Sequence, residues 1–326
     1  GFATWTAALV TLVYGLIRAG DDGWSDTWVI ACLAAAAVLL AAFVAVEARA
    51  AHPMFDLALL RIPTFSGGAI AAFAMNGSLY AMLLYLVIYL QDILGYSALG
   101  AGLRLAIISG ATLVTATAAG RASEHVPVRW LIGPGLILVG AGLFLMGGLT
   151  AASAWTHLVP GFIVAGLGAG LVNPPLASTA IGVVPPHRAG MGSGINSTFR
   201  QIGIATGIAA LGSVFTAAIQ RNLEHAGPLG ISAPRLVAAV KQGQPGRLLA
   251  SLPPAERGHV AAALRSAFTA GLDDLLVITG ILALAGAVCA LLLIRSKDFV
   301  ARGEPGPQPS AGEQAGTEAG SEVRSG

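Results

Sequence analysis

Residues 166–207 read "GLGAGLVNPPLASTAIGVVPPHRAGMGSGINSTFRQIGIATG". This stretch holds two long apolar runs divided by the short break VVPPHR at 183–188, and it contains no Asp or Glu. A helix on the surface of a soluble protein carries a continuous polar face, and neither run has one. Both suit a bilayer, and the composition of the whole chain agrees. Hydrophobic residues make up 55% and charged residues 10% of the 326 positions, with a mean hydropathy of +0.76. Such a chain cannot bury its apolar side chains in a water-soluble globule, so it reads as a polytopic membrane protein.

A hydrocarbon core of about 30 Å requires about 20 apolar residues per helix. Eight runs meet that length: 3–19, 28–46, 65–90, 100–120, 130–149, 155–177, 190–218 and 271–294. They are too long for strands and lack the alternation of an outer-membrane barrel. The expected fold class is an all-α polytopic membrane protein with eight transmembrane helices.

The formal net charge of +2 is too small to indicate nucleic acid, so the placement of charge carries the information. The short connections 47–64, 121–130 and 183–189 contain Arg49 and Arg61, Arg121 and Arg129, and Arg188, and Arg295 and Lys297 follow the last run. The intervening connections 20–27, 91–99 and 150–154 contain no Lys or Arg. By the positive-inside rule this alternation predicts a multi-pass protein of the cell membrane with a cytoplasmic C-terminus. Arg18 and Arg104 oppose it mildly and are expected to snorkel outward. Cys32 and Cys289 lie near opposite membrane faces and are read as unpaired apolar thiols. The six histidines show no metal-ligand spacing, so neither a metal nor a cofactor is expected.

The chain starts Gly-Phe-Ala-Thr-Trp, with its first run already a full span, and is expected to be a piece of a longer protein. The other end, 296–326, is poor in apolar residues beyond Glu304 and is expected to form a disordered cytoplasmic tail. Within 219–270, "SAPRLVAAV" and "PPAERGHVAAALRSAFTAGLDDLL" place proline ahead of apolar residues at helical spacing, which predicts two short amphipathic helices on the external side.

Catalysis in a membrane needs a nucleophile, acid and base or metal ligands at a shared depth, and no span carries Asp, Glu or His near its middle. An enzyme is not expected. The spans do hold small residues and prolines: Gly166, Gly170, Gly203 and Gly207 permit close helix approach, while Pro174 and Pro175 interrupt backbone hydrogen bonding. Arg200 sits about 15 Å along its helix from Gly190. A central arginine costs about 2.5–3.5 kcal/mol on insertion scales, which favours a functional role. It is read as a latch, assisted by Gln201 and Asn196, to the carbonyls around Asn173-Pro174-Pro175 or to an acid outside this chain.

At "GDDGW" (20–24), "GYSALGAGLR" (95–104), "GRASEHVPVRWLIGPGLILVGAGL" (120–143) and 166–207 the sequence resembles the fourteen-span drug:proton antiporter branch of the major facilitator superfamily. The resemblance implies that 1–64 holds two linker spans and a cytoplasmic connection, that 65–295 is the C-terminal six-helix half, and that an N-terminal half is missing. That half would contain the proton-carrying acids. Gly120, Glu124 and Arg129 match glycine, acid and basic positions of the superfamily's cytoplasmic loop signature, whereas Pro127 departs from its usual glycine. The implied activity is export of amphipathic small molecules, powered by the proton gradient. The implied partners are the small-molecule substrate, the lipid bilayer and the missing half, with no nucleic acid.

Asn76 and Tyr80, one turn apart, are the expected cavity contacts, with Thr112, Thr115 and Asn173 as further members of the substrate pathway. Ser78, Met82, Tyr85 and Tyr89 form another stripe, of which the two tyrosines are expected in an interfacial aromatic belt. Alternative readings are a dedicated exporter of one endogenous antibiotic or lipid and a non-transporting membrane scaffold or receptor.

Overall fold

The computed structural model describes residues 2–49, 57–123, 125–226, 231–241 and 245–299. Most of each of the eight apolar runs lies in a helix: α1 (Phe2–Asp22), α2 (Thr27–Glu47), α3 (Pro63–Met75) continuing into α4 (Ala81–Ile88), α5 (Ala98–Ala122), α6 (Arg129–Leu145), α7 (Val159–Gly182), α8 (Ala189–His225) and α11 (Pro254–Leu293). All regular elements among the described residues are helical. Six helices are long and apolar enough to cross a membrane, and two more apolar helices, Ala3–Ala19 and Arg129–Leu145, are shorter.

The starts follow local chemistry. Asp26 caps α2 by accepting from the N–H groups of Trp28 and Val29, and Ser97 caps α5 by accepting from Gly100 N–H at 3.1 Å. Between α3 and α4 the backbone widens into a π-helical turn, Asn76–Tyr80, and a second such turn, Tyr89–Ile93, follows α4. In the first, the Asn76 amide donates to the Ala72 carbonyl at 2.7 Å, while Ala81 N–H reaches back five residues to the Asn76 carbonyl.

Helix α7 packs closely on both α5 and α6 because it has two glycine faces. A Cβ at Gly166 would lie 2.6 Å from the Ile108 carbonyl oxygen of α5, and one at Gly170 would collide with Thr115 Oγ1. On the other side, a Cβ at Gly168 would lie 2.5 Å from the Gly135 carbonyl oxygen of α6. Helices α3 and α8 meet in the same way, since a Cβ at Gly203 would lie 2.6 Å from the Phe73 carbonyl oxygen, and one at Gly207 the same distance from that of Gly77. With no difference in apolarity between lipid and helix to drive association, such backbone approach supplies the dispersion contact that holds helices together. Helix α11 packs along α3, α6 and α8.

The first and last elements of this six-helix unit are tied by a polar clasp. Thr64 Oγ1 donates to Asp298 Oδ2 at 2.7 Å and accepts from Arg295 N–H at 2.7 Å. The α1–α2 hairpin lies outside the unit, with α1 against α8, and most α2 side chains are exposed.

Several expectations change. Helix α7 runs unbroken through Pro174 and Pro175, and the hydroxyls of Ser178 and Thr179 both donate to the Pro175 carbonyl. Only the first of the two expected external amphipathic helices is separate, as α9 (Ala233–Lys241); it is followed by a short α10 (Pro245–Ser251), and the second is the N-terminal extension of α11. No residue between Pro254 and Leu293 breaks that helix, and Val260, Leu264 and Phe268 continue its buried face. Residues 296–299 do not start a loose tail: Ser296–Asp298 form a 3-10 turn, and Phe299 packs against the apolar clusters near Gly182. The remaining tail, 300–326, lies outside the described residues.

Replacing Gly207 or Gly203 with Ala should destabilise the bundle by about 1–3 kcal/mol, because the backbone opposite cannot retreat. Gly194→Ala, where a Cβ meets nothing within 4 Å, should not destabilise and should gain up to about 1 kcal/mol from helix propensity. Thermal unfolding of the purified variants in detergent, read by intrinsic tryptophan fluorescence, distinguishes these outcomes.

Candidate functional site

The turn that positions the site is Asn76–Tyr80. Its widened backbone leaves Asn76 fully buried at 1% exposure, bonded to its own helix, and carries Tyr80 out to a half-buried position facing α5. There Tyr80, Leu83, Ser109, Thr112 and Leu113 line an open groove of about 600 Å³ between α4 and α5, with Ala169 of α7 behind it. The volume falls within the range of small-molecule sites, and the walls are apolar with a few hydroxyls.

The polar groups are held from behind. Asn173 of α7 donates from Nδ2 to Tyr80 Oη at 3.3 Å. Thr112 Oγ1 donates to the Gly166 carbonyl across the α5–α7 contact at 3.0 Å. Tyr80 and Thr112 thus line one groove, and Asn173 reaches Tyr80 from behind it. Asn76 does not reach the groove, because its amide turns back to Ala72. Thr115 donates to the Ala111 carbonyl at 3.0 Å and packs against Gly170. Ser109 was not among the expected residues. It lies one helical turn before Thr112 on α5, and that spacing would have identified it.

The stripe Ser78, Met82, Tyr85 and Tyr89 is the buried side of this segment rather than a belt. Tyr85 is 5% exposed, donates to the Ile208 carbonyl at 2.9 Å and meets Phe215 at a centroid distance of 5.4 Å; Tyr89 is stacked on Phe268 at 6.2 Å. The extension of α11 and the long α8 cover the positions that lipid headgroups would otherwise contact.

Arg200 is half-buried on α8 and shares a helical face with Asn196, Gly203 and Gly207. Among the described residues it makes no hydrogen bond to the carbonyls around Asn173, so the expected latch is not closed in this conformation. Asn196 lies in a small pocket with Thr179 and Ala180 of α7, and Gln201 faces a groove beside α1. Of the loop signature, Gly120 accepts from Ser123 Oγ at 2.7 Å and Arg129 stacks over Trp130 at 5.1 Å, while Glu124 lies outside the described residues. Arg104 stacks on Tyr96 at 3.5 Å and Trp155 at 4.8 Å, an aromatic clamp in place of free snorkelling. No group of three or more metal-binding side chains occurs among the described residues.

Residues 2–208 match the Major Facilitator Superfamily. The chain belongs to that superfamily. It is therefore a multi-pass membrane protein of a transporter family rather than an enzyme. It is 27% identical over 320 residues to the tetracenomycin C resistance and export protein of Streptomyces glaucescens, covering 95% of this chain and 59% of the relative. It is 34% identical over 217 residues to the multidrug resistance protein Stp of Mycobacterium tuberculosis, covering 67% and 40%. With the multidrug efflux pump LfrA of Mycolicibacterium smegmatis the identity is 28%, covering 86% and 55%. The chain thus spans between two fifths and three fifths of the length of these relatives. A bacterial homolog of the human lysosomal transporter Spinster, crystallised inward-facing and unoccupied, shares the fold at a TM-score of 0.55 and 19% identity, over 92% of this chain and 70% of that one.

Tyr80→Phe removes the acceptor for Asn173, so the protein should lose affinity for any ligand hydrogen-bonded in the groove by about three- to tenfold, as for a net hydrogen bond of about 0.5–1.5 kcal/mol. Equilibrium binding of a fluorescent substrate, measured beside the melting temperature, checks that the loss is not one of folding.

Proposed function

We propose that this chain is the C-terminal part of a fourteen-span exporter of the cell membrane: two linker helices (α1 and α2), then a six-helix half (residues 65–295) that forms one wall of an alternating-access pathway, with the C-terminus in the cytoplasm. The observation that carries this reading is the groove of Tyr80, Ser109 and Thr112, which opens along the face of α5 that no described helix covers; Leu113 there is 67% exposed. An apolar groove with a few hydroxyls suits amphipathic small molecules, and relatives named for drug or antibiotic export support that class. The opposite wall would come from an N-terminal half, which would also supply the acids that carry protons, since the acids within this chain's apolar runs, Asp273 and Asp274, are bonded to Leu149 N–H and Arg221.

In this scheme Arg200 closes onto α7 carbonyls or onto an acid of the other half in one state of the cycle and opens in the other. The loop signature at Gly120, Glu124 and Arg129 makes and breaks its contacts in step. The alternative, a dedicated exporter of one compound, is supported by relatives named for a single antibiotic, such as tetracenomycin C, against those named for multidrug resistance.

Efflux of ethidium and of chemically unrelated cations from cells expressing the full-length protein tests the reading. Export that stops on addition of a protonophore is the expected result, and Arg200→Gln should slow it at least tenfold at equal membrane level. Absence of efflux for every compound, or efflux indifferent to the proton gradient, would contradict it.

A further inference from the structure

A second cavity, also about 600 Å³, lies away from the groove, where four segments meet: the π-helical turn ending α4, the α6–α7 connection, α10 and the extension of α11. Its walls are mostly apolar, through Ile93, Ala151, Leu249 and Leu264, and two charged side chains line it, Asp92 and Arg265. Nothing in the transport scheme above uses it.

The two charges are opposite in sign and do not neutralise each other. No ion pair joins Asp92 to Arg265, and Asp92 accepts no hydrogen bond among the described residues. Arg265 is anchored, because its Nη2 donates to the Ile93 carbonyl at 2.8 Å, which fixes the guanidinium beside the turn that carries Asp92. That bond occupies one of its five N–H donors. A half-covered, apolar-walled cavity strengthens the attraction of each charge for a ligand group relative to open water. Acceptor-only carboxylate and donor-only guanidinium on one apolar chamber are complementary to a molecule with a cationic amine and a carboxylate on an apolar body.

We propose that this chamber binds zwitterionic amphipathic molecules, with Asp92 meeting the cationic group, Arg265 the anionic group and Leu249 and Leu264 the apolar body. The charge pattern of the connections puts the chamber on the external side, so for an exporter it is an exit-side subsite. This last step rests on the export reading; the binding itself does not.

Rhodamine B and its ethyl ester are matched probes, zwitterion and cation with the same apolar frame. Their affinities are measured by fluorescence anisotropy with the full-length protein in lipid nanodiscs. Asp92→Asn should weaken both dyes about fivefold, as expected for loss of the Coulomb attraction between a carboxylate and a delocalised cation that has no N–H to donate. Asp92→Glu should restore most of the affinity. Arg265→Gln, which keeps a donor for the Ile93 carbonyl, should weaken rhodamine B and spare the ester. If Asp92→Asn and Arg265→Gln change both affinities by less than about twofold, within the scatter expected of solvated surface charges, the chamber is not a ligand site. Equal loss of both dyes in Arg265→Gln would overturn the role given to the guanidinium. Dye efflux from cells separates the two readings: efflux with Asp92-independent binding removes the chamber and keeps export, whereas Asp92-dependent binding without efflux does the reverse.

Discussion

Everything in this fold depends on how closely helix backbones can approach in a solvent as apolar as they are. Burial of apolar surface cannot pull helices together within lipid, so the energy of association comes from dispersion between atoms in contact. Glycine removes the side chain that would keep two helices apart. Helix α7 therefore holds α5 through Gly166 and Gly170 and α6 through Gly168, while α8 holds α3 through Gly203 and Gly207. These contacts fix the relation of α4, α5 and α7, and so fix the distance across which Asn173 reaches Tyr80 and Thr112 reaches Gly166.

The same constraint explains why the site falls where it does. A π-helical turn beginning at Asn76 shifts the register of the segment by a fraction of a turn, so the residues before it pack on α8 and Tyr80 at its end faces α5. A regular helix would leave the register unshifted. The cost of the wide turn is offset by hydrogen bonds: the Asn76 side chain bonds to Ala72, and Ser78 Oγ donates to the Met75 carbonyl at 3.2 Å. Such turns recur at functional positions in other helices, where they direct one side chain away from the face set by its neighbours.

The helical class and the position of each apolar run were legible in the sequence because length and hydropathy respond directly to the bilayer. The small-residue contacts were legible for the same reason, as glycine at four-residue spacing has few other uses in a lipid-exposed helix. What sequence spacing could not show was the π-helical turn, which breaks the 3.6-residue period on which the pairing of Asn76 with Tyr80 relied. It also could not show that Tyr85 and Tyr89 are covered, since their cover comes from α8 and α11, more than a hundred residues away. Nor was the continuity of α11 visible, because the apolar run begins only at 271 and the amphipathic segment before it read as a separate short helix. Asp273 accepts from Leu149 N–H at 3.0 Å, and Asp274 pairs with Arg221 at the same distance, so both acids are accommodated inside one helix.

The most direct test of glycine-governed packing is a cross-link between two helices distant in sequence. A Cβ at Gly68 of α3 would lie 4.0 Å from Thr179 Cβ of α7, within the range of about 3.5–4.5 Å that a disulfide needs. Cysteines placed at both positions of a Cys32- and Cys289-free protein, in native membranes under mild oxidation, should join nearly completely, as read by loss of thiol labelling. Two thiols that remain fully labelled under those conditions would mean that α3 and α7 do not cross at these residues, and the packing described here would be wrong.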